Sequence, residues 1–160
     1  MKMRKLISIC LFLSLFCGGA AAQKGVVLRS IDGNTYDVGE LIKKDQVTIV
    51  SFFATWCKPC LRELGAINDV YDDWKESVDV QFIAVSIDTA QDSEKVAPLA
   101  NGNAWDFLVL LDPEGELKRQ MQVQTVPHTV IFDKRGKAVD THNSYTDGDE
   151  NAIFEMIKKL

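Results

Sequence analysis

The run from Val47 to Phe53 (Val, Thr, Ile, Val, Ser, Phe, Phe) carries no charge and is rich in β-branched and aromatic residues. A continuous apolar run of this length predicts a strand at the centre of a covered sheet rather than one with a wet face. Asp79 to Ile87 (Val80, Phe82, Ile83, Val85, Ile87) and Phe107 to Leu111 predict two more central strands. Between the first two, apolar positions switch to helical spacing. Leu61, Leu64, Ile67, Val70 and Trp74 share one face of a helix over Cys57 to about Glu76. Ser93 to about Ala100 predicts a short helix interrupted or bent near Pro98, and Glu116 to Met121 a helical turn or two. Two hairpins follow from turn chemistry. Val26 to Arg29 and Thr35 to Val38 flank Asp32-Gly33-Asn34, and Thr129 to Phe132 and Ala138 to Thr141 flank the Gly136-containing loop 133–137. Asp149 to Leu160 closes the chain as an amphipathic helix with Ile153, Phe154, Ile157 and Leu160 inward. Strands alternating with helices, then a hairpin and a helix, predict an α/β fold. Its mixed central β-sheet has helices on both faces, right-handed crossovers and an N-terminal β-hairpin extension.

The first 22 residues do not belong to this pattern. Lys2, Arg4 and Lys5 precede an apolar stretch of 11 residues from Leu6 to Phe16, and Ala20-Ala21-Ala22 offers a small-residue cleavage site. This is the layout of an export signal, too short for a membrane span of ~20 residues. Cleavage after Ala22 is expected, leaving one domain over 23–160 in a periplasmic setting, with a mature chain that does not span the membrane. Cys17 is a poor lipidation site because bulky Phe16 precedes it, and retention of the segment as an uncleaved anchor is the other reading. The segment holds three of the 18 Lys and Arg and none of the 23 Asp and Glu, so the remainder carries a net charge of −8. An acidic surface argues against nucleic acid or anionic membrane as a partner.

Cys10 and Cys17 leave with the segment, so the exported chain keeps only Cys57 and Cys60. A bridge between residues three apart constrains too little loop entropy to stabilise a fold usefully, so chemistry is the better reason for the pair. Trp56-Cys57-Lys58-Pro59-Cys60 falls between the first central strand and its helix. The first sulfur is thereby placed at a helix N-terminus, where unpaired N–H groups and the helix dipole favour a thiolate. Cys57 is expected to be the exposed sulfur with the lower pKa, and Cys60 to lie buried behind it.

Four motifs in this order resemble the thioredoxin superfamily, and within it the exported TlpA/ResA-type thiol–disulfide oxidoreductases: Phe53 to Cys60, Val85 to Asp88, Leu111 to Gly115 and Val126 to Gly136. The resemblance covers nearly all of 26–160 and implies the thioredoxin fold. It implies further that Cys57 is the attacking thiol and Cys60 the resolving one. Pro127 then follows a cis peptide bond, and Val126 offers its backbone to a substrate strand. Disulfide-containing exported proteins are the implied partners, fed by a membrane thiol donor of the kind that serves cytochrome c maturation. No cofactor is implied. Two positions depart from the wider pattern. Thioredoxins carry a buried Asp six residues before the first cysteine, where this chain has Ser51, which cannot accept a proton from Cys60. Glu63, three residues after Cys60 as in the TlpA/ResA type, is the candidate proton acceptor; otherwise it is a solvated carboxylate paired with Arg62 or Lys58. Gly65 stands where these helices often have a kinking proline.

Trp56 is either an apolar platform for substrate or a core residue, whereas Trp74 and Trp105 read as core. His128 reads as a strand residue beside Pro127, with a role at the sulfurs as the alternative, and His142 as a surface hairpin residue. The same chemistry run in reverse makes a disulfide-forming oxidant. A Cu(I) metallochaperone using Cys57, Cys60 and a histidine such as His128 is the rival of another class. Peroxiredoxin-type peroxidase chemistry is disfavoured, because Thr55 sits two residues before Cys57 rather than three. Residues 88–106 and the rim around Val126 are expected to decide partner choice.

Overall fold

A computed structural model describes residues 25–42 and 45–160; the expected signal segment and its cleavage site lie outside them. Seven strands form one sheet in the order β2-β1-β5-β4-β3-β6-β7. Strands β3 (Val47–Phe53), β4 (Val80–Ser86) and β5 (Leu108–Leu111) run parallel at its centre. On one side β1 (Val27–Ser30) pairs antiparallel with β5, and β2 (Thr35–Asp37) with β1. On the other, β6 (His128–Phe132) runs antiparallel to β3, and β7 (Ala138–Asn143) to β6. The parallel strands are buried on both faces, which is why their sequences read as unbroken apolar runs.

Two cores result. On one face Ile49, Phe53, Phe82 and Ile131 meet Leu64, Ile67 and Trp74 of α2 (Lys58–Ser77) and Ile153 and Ile157 of α5 (Asp149–Ile157). On the other, Val50, Phe52, Ile83 and Val85 meet α1 (Val38–Ile42) and Leu117 of α4 (Glu116–Gln120). Helices therefore cover both faces, as the alternating pattern requires.

Three local details of the elements follow from their sequences. Val38 begins α1 rather than ending a strand, because the Asp37 carboxylate accepts the N–H groups of Gly39 (2.8 Å) and Glu40 (3.3 Å) and caps a helix there. Residues 93–102 break before Pro98, where a 3₁₀ turn at Ser93–Lys95 runs into α3 (Val96–Gly102). Pro98 sits in the first turn of α3, where an amide hydrogen would have no partner within the helix. The helix α2 runs unbroken through Gly65 for 20 residues.

Trp74, 2 % exposed, lies flat against Phe154 with ring centroids 5.8 Å apart and joins α2 to α5. Trp74→Ala should therefore cost about 3–5 kcal/mol in chemical denaturation of the oxidised protein.

Candidate active site

Strand β3 ends beneath the site. Its successor Ala54 accepts the Cys57 N–H (3.0 Å), and this turn folds the chain into α2. Cys57 is the N-cap of that helix, its Sγ accepting the Cys60 N–H at 3.3 Å, and Pro59 occupies the first turn. Cys57 and Cys60 are joined by a disulfide, S–S 2.02 Å and Cα–Cα 5.3 Å. Cys60 is fully buried, as expected. Cys57 is the more exposed residue of the two, though at 5 % it too lies within the apolar cluster with Phe53 and Ala54. Trp56 stands out at 68 % exposure, so of its two readings the core one fails.

The loop before Cys57 is held from below. Asp88, 2 % exposed just beyond β4, accepts the Thr55 N–H (2.9 Å), the Thr55 hydroxyl (2.8 Å) and the Ser86 hydroxyl (2.7 Å). Sequence reasoning quoted Val85 to Asp88 only as part of a resemblance and missed this clamp. The available signal was an acid at the end of an apolar strand next to the cysteine strand. The Thr55 hydroxyl is thus committed to Asp88.

Glu63 is 1 % exposed, one helical turn beyond Cys60, and pairs with neither Arg62 nor Lys58 in the buried site. Arg62 instead bridges the exposed Asp147 at 3.7 Å. The Glu63 carboxyl meets two hydroxyls. Thr129 Oγ1 lies 2.8 Å from Oε1, Ser51 Oγ 3.3 Å from Oε2, and the two hydroxyls are 2.9 Å apart. Ser51 stands where thioredoxins place a buried Asp, so the carboxyl reaches that place from the helix instead of from the strand. Hydrogen counting shows what the trio can do. With Glu63 ionised, Thr129 and Ser51 each donate to one carboxylate oxygen. With Glu63 protonated, it donates to Thr129, Thr129 to Ser51 and Ser51 back to Oε2, closing a ring. Both protonation states are therefore accommodated without rearrangement. Burial pushes the Glu63 carboxyl up from 4.5 to about 7, the Thr129 and Ser51 bonds pulling part of the way back.

The Val126–Pro127 peptide is cis, as the resemblance implied. Val126 and Ile87 pack against the cluster that holds the disulfide. Ile87 also lines a cleft of about 580 Å³ with Lys118, Gln122 and Gln124. Residues 88–106 do not line that cleft; Val96, Ala100 and Trp105 of this segment instead pack into or against the α2-side core. His128 points to the opposite face of the sheet from Thr129. Its Nδ1 contacts Asn143 Oδ1 at 2.7 Å, and its ring meets Phe52 edge-on. His142, expected at the surface, is only a third exposed and contacts Asp149. Among the described residues no group of three or more His, Cys, Asp or Glu side chains is placed to hold a metal ion.

A family model described as AhpC/TSA family matches residues 19–140. The chain belongs to that family. Its thioredoxin-like fold and cysteine pair make it a thiol–disulfide oxidoreductase, in line with its relatives. Sporulation thiol-disulfide oxidoreductase A of Bacillus subtilis is 26% identical over 153 residues, 88% of this chain and 90% of that protein. Thiol-disulfide oxidoreductase ResA of Bacillus thuringiensis subsp. konkukian is 27% identical over 134 residues, 84% of this chain and 73% of that one. The solution structure of an uncharacterized thioredoxin-like protein from Porphyromonas gingivalis is 46% identical. It superposes with a TM-score of 0.75 over 87% of this chain and 92% of the other.

The elevated Glu63 pKa makes stability pH-dependent with a definite sign. The folded protein holds this proton more tightly than the unfolded chain does. Stability is therefore full below the unfolded value near 4.5 and is lost as pH rises through about 7. The shift corresponds to about 3 kcal/mol. Denaturation of oxidised Glu63→Gln and wild type should give Gln the advantage at pH 8, with the difference gone below about pH 4.5.

Proposed function

We propose that the protein is an exported protein-disulfide reductase whose Cys57–Cys60 pair is the reacting group and Glu63 its proton acceptor. The observation that carries this reading is a disulfide at a helix N-terminus with a buried carboxyl, titrating near neutrality, one turn behind the inner sulfur. In the reduced protein the Cys57 thiolate attacks one sulfur of a substrate disulfide. The substrate S–S bond breaks, the leaving thiolate takes a proton, and a mixed disulfide joins Cys57 to the substrate. Glu63 accepts the Cys60 proton. The Cys60 thiolate then attacks Cys57 Sγ, the second substrate sulfur leaves, and the Cys57–Cys60 disulfide is restored. Two electrons pass to the substrate, and a thiol donor at the membrane returns them.

A general base is most effective when its pKa lies near the working pH, and a buried acid near 7 meets that condition where a solvated glutamate does not. Cys60 and Glu63 are both on the buried side of α2, so the proton stays out of water while it moves. Trp56 and the backbone of Val126, beside cis Pro127, supply the surface against which a substrate strand lies. Export rests on the basic, apolar and small-residue sequence of the first 22 residues. No described helix is long and apolar enough to cross a membrane. Disulfides of exported proteins, apocytochrome c among them, are the proposed substrates. The copper reading loses its suggested ligand, because His128 faces the other side of the sheet from Glu63 with its Nδ1 engaged by Asn143.

Cys57→Ser should abolish disulfide reduction, and Cys60→Ser should accumulate the mixed disulfide, seen as an adduct by mass spectrometry. Glu63→Gln should slow release of that adduct roughly 10²-fold at pH 7. Direction is decided by equilibrating the pair against thiol–disulfide buffers. A potential near or below about −270 mV supports the reductase, and one near about −120 mV makes the protein a disulfide donor instead.

A further inference from the structure

The polar row that binds Glu63 continues to the edge of the sheet. Ala84, Ser51, Thr129 and His142 are direct register partners on β4, β3, β6 and β7 in turn. Side chains directly opposite one another in a sheet share a face, with Cβ atoms roughly 5 Å apart. Thr129, which holds Glu63 Oε1, thus has His142 as its neighbour on the outer strand.

His142 is itself seated. Its Nε2 lies 3.0 Å from Asp149 Oδ2, and the same carboxylate oxygen accepts the Thr146 N–H at 2.7 Å. The Thr146 bond, followed by the His142 bond, holds Asp149 below the usual carboxylate range. Asp149 therefore stays an anion through neutral pH. The side chains of His142 and Asp149 are 33% and 27% exposed, so the row meets solvent at this pair.

Resting on the assignment of Glu63 as the acid, we propose that His142 is a positioning residue for it. Held by Asp149 at the solvent end of the Ser51–Thr129 row, its ring acts on the Glu63 carboxyl from the sheet edge and sets how firmly Glu63 keeps its proton. A cation at this place favours the carboxylate; the Asp149 carboxylate opposes it and contributes less. The other charged groups on the surrounding elements are accounted for. Arg62 on α2 is exposed and pairs with Asp147. Asp140 on β7 lies two register pairs away, opposite Ile131. Glu150 on α5 accepts the Tyr145 hydroxyl at 2.9 Å. On this face β3 and β6 present only Ser51 and Thr129 as polar groups, and Cys57 and Cys60 titrate only when reduced.

The test is a carboxyl-carbon NMR titration of the oxidised protein carrying ¹³C-labelled glutamate, with Glu63→Gln identifying the resonance. In His142→Gln the Glu63 midpoint should rise by about half a unit or more, and His142→Lys, which restores a cation, should bring it back. An unmoved midpoint in His142→Gln, or the same rise in His142→Lys, overturns the proposal. Both substitutions fall on an edge strand at a partly exposed position, where the fold tolerates them. The pH profile of substrate reduction separates the two claims. An upward shift of the same size in His142→Gln supports the coupling, whereas wild-type rates in Glu63→Gln would remove the catalytic role of the acid while leaving the titration result standing.

Discussion

Strand β3 is paired along its length, in parallel register with β4 and in antiparallel register with β6, and every one of its residues is buried. A strand so committed cannot slip by one residue without turning Ile49, Ser51 and Phe53 to the opposite core. Its C-terminal end is consequently a fixed point. The Ala54 turn hangs Cys57 from that point, and Asp88, anchored beyond β4, ties Thr55 to the neighbouring strand. The same register puts Ser51 beside Thr129, and Thr129 beside His142, with no freedom left for the row to be anything else.

Within that frame Glu63 is a carboxyl taken out of water. A glutamate in an apolar helix interface is unfavourable when ionised unless hydroxyls or charges face it. Here two hydroxyls from two different strands converge on it, and their hydrogens suffice for either protonation state. The result is an acid balanced near neutrality, which a surface glutamate is not and a wholly apolar pocket would not allow. Stability is spent on that balance, the usual relation between a tuned group and its fold.

Acids at the ends of neighbouring strands play a different part. Asp88 after β4 and Asp112 after β5 are both nearly fully buried; Asp88 spends its oxygens on the Thr55 N–H and on the Thr55 and Ser86 hydroxyls, Asp112 on backbone N–H groups of the turn that follows it. Asp112 accepts from Glu116, Leu117 and Lys118 and so starts α4. They fix where the loops at this end of the sheet run, including the stretch that leads through Gln122 and Gln124 to Val126. The cleft that Ile87 shares with Lys118, Gln122 and Gln124 is lined from the α4 side and not by the longer 88–106 segment.

Much of this was legible in the chain. The apolar run Val47 to Phe53, the helical spacing after Cys60 and the two turn-flanked hairpins each encode a local periodicity, and local periodicity survives folding because it is what buries a face. The Cys57-Lys58-Pro59-Cys60 spacing at a strand-to-helix junction likewise carries its own chemistry. What the residues alone left open depends on partners distant in sequence. Whether Glu63 is solvated or buried, what ties down the loop before Cys57, and whether His142 is a surface hairpin residue or the end of a polar row are settled by contacts 12 to 66 residues apart. Sequence determined the elements and the reacting pair, because both are short-range properties. Tertiary structure decided the environment of the proton, because a pKa is set by whatever the fold brings within a few ångströms, and no spacing along the chain records that.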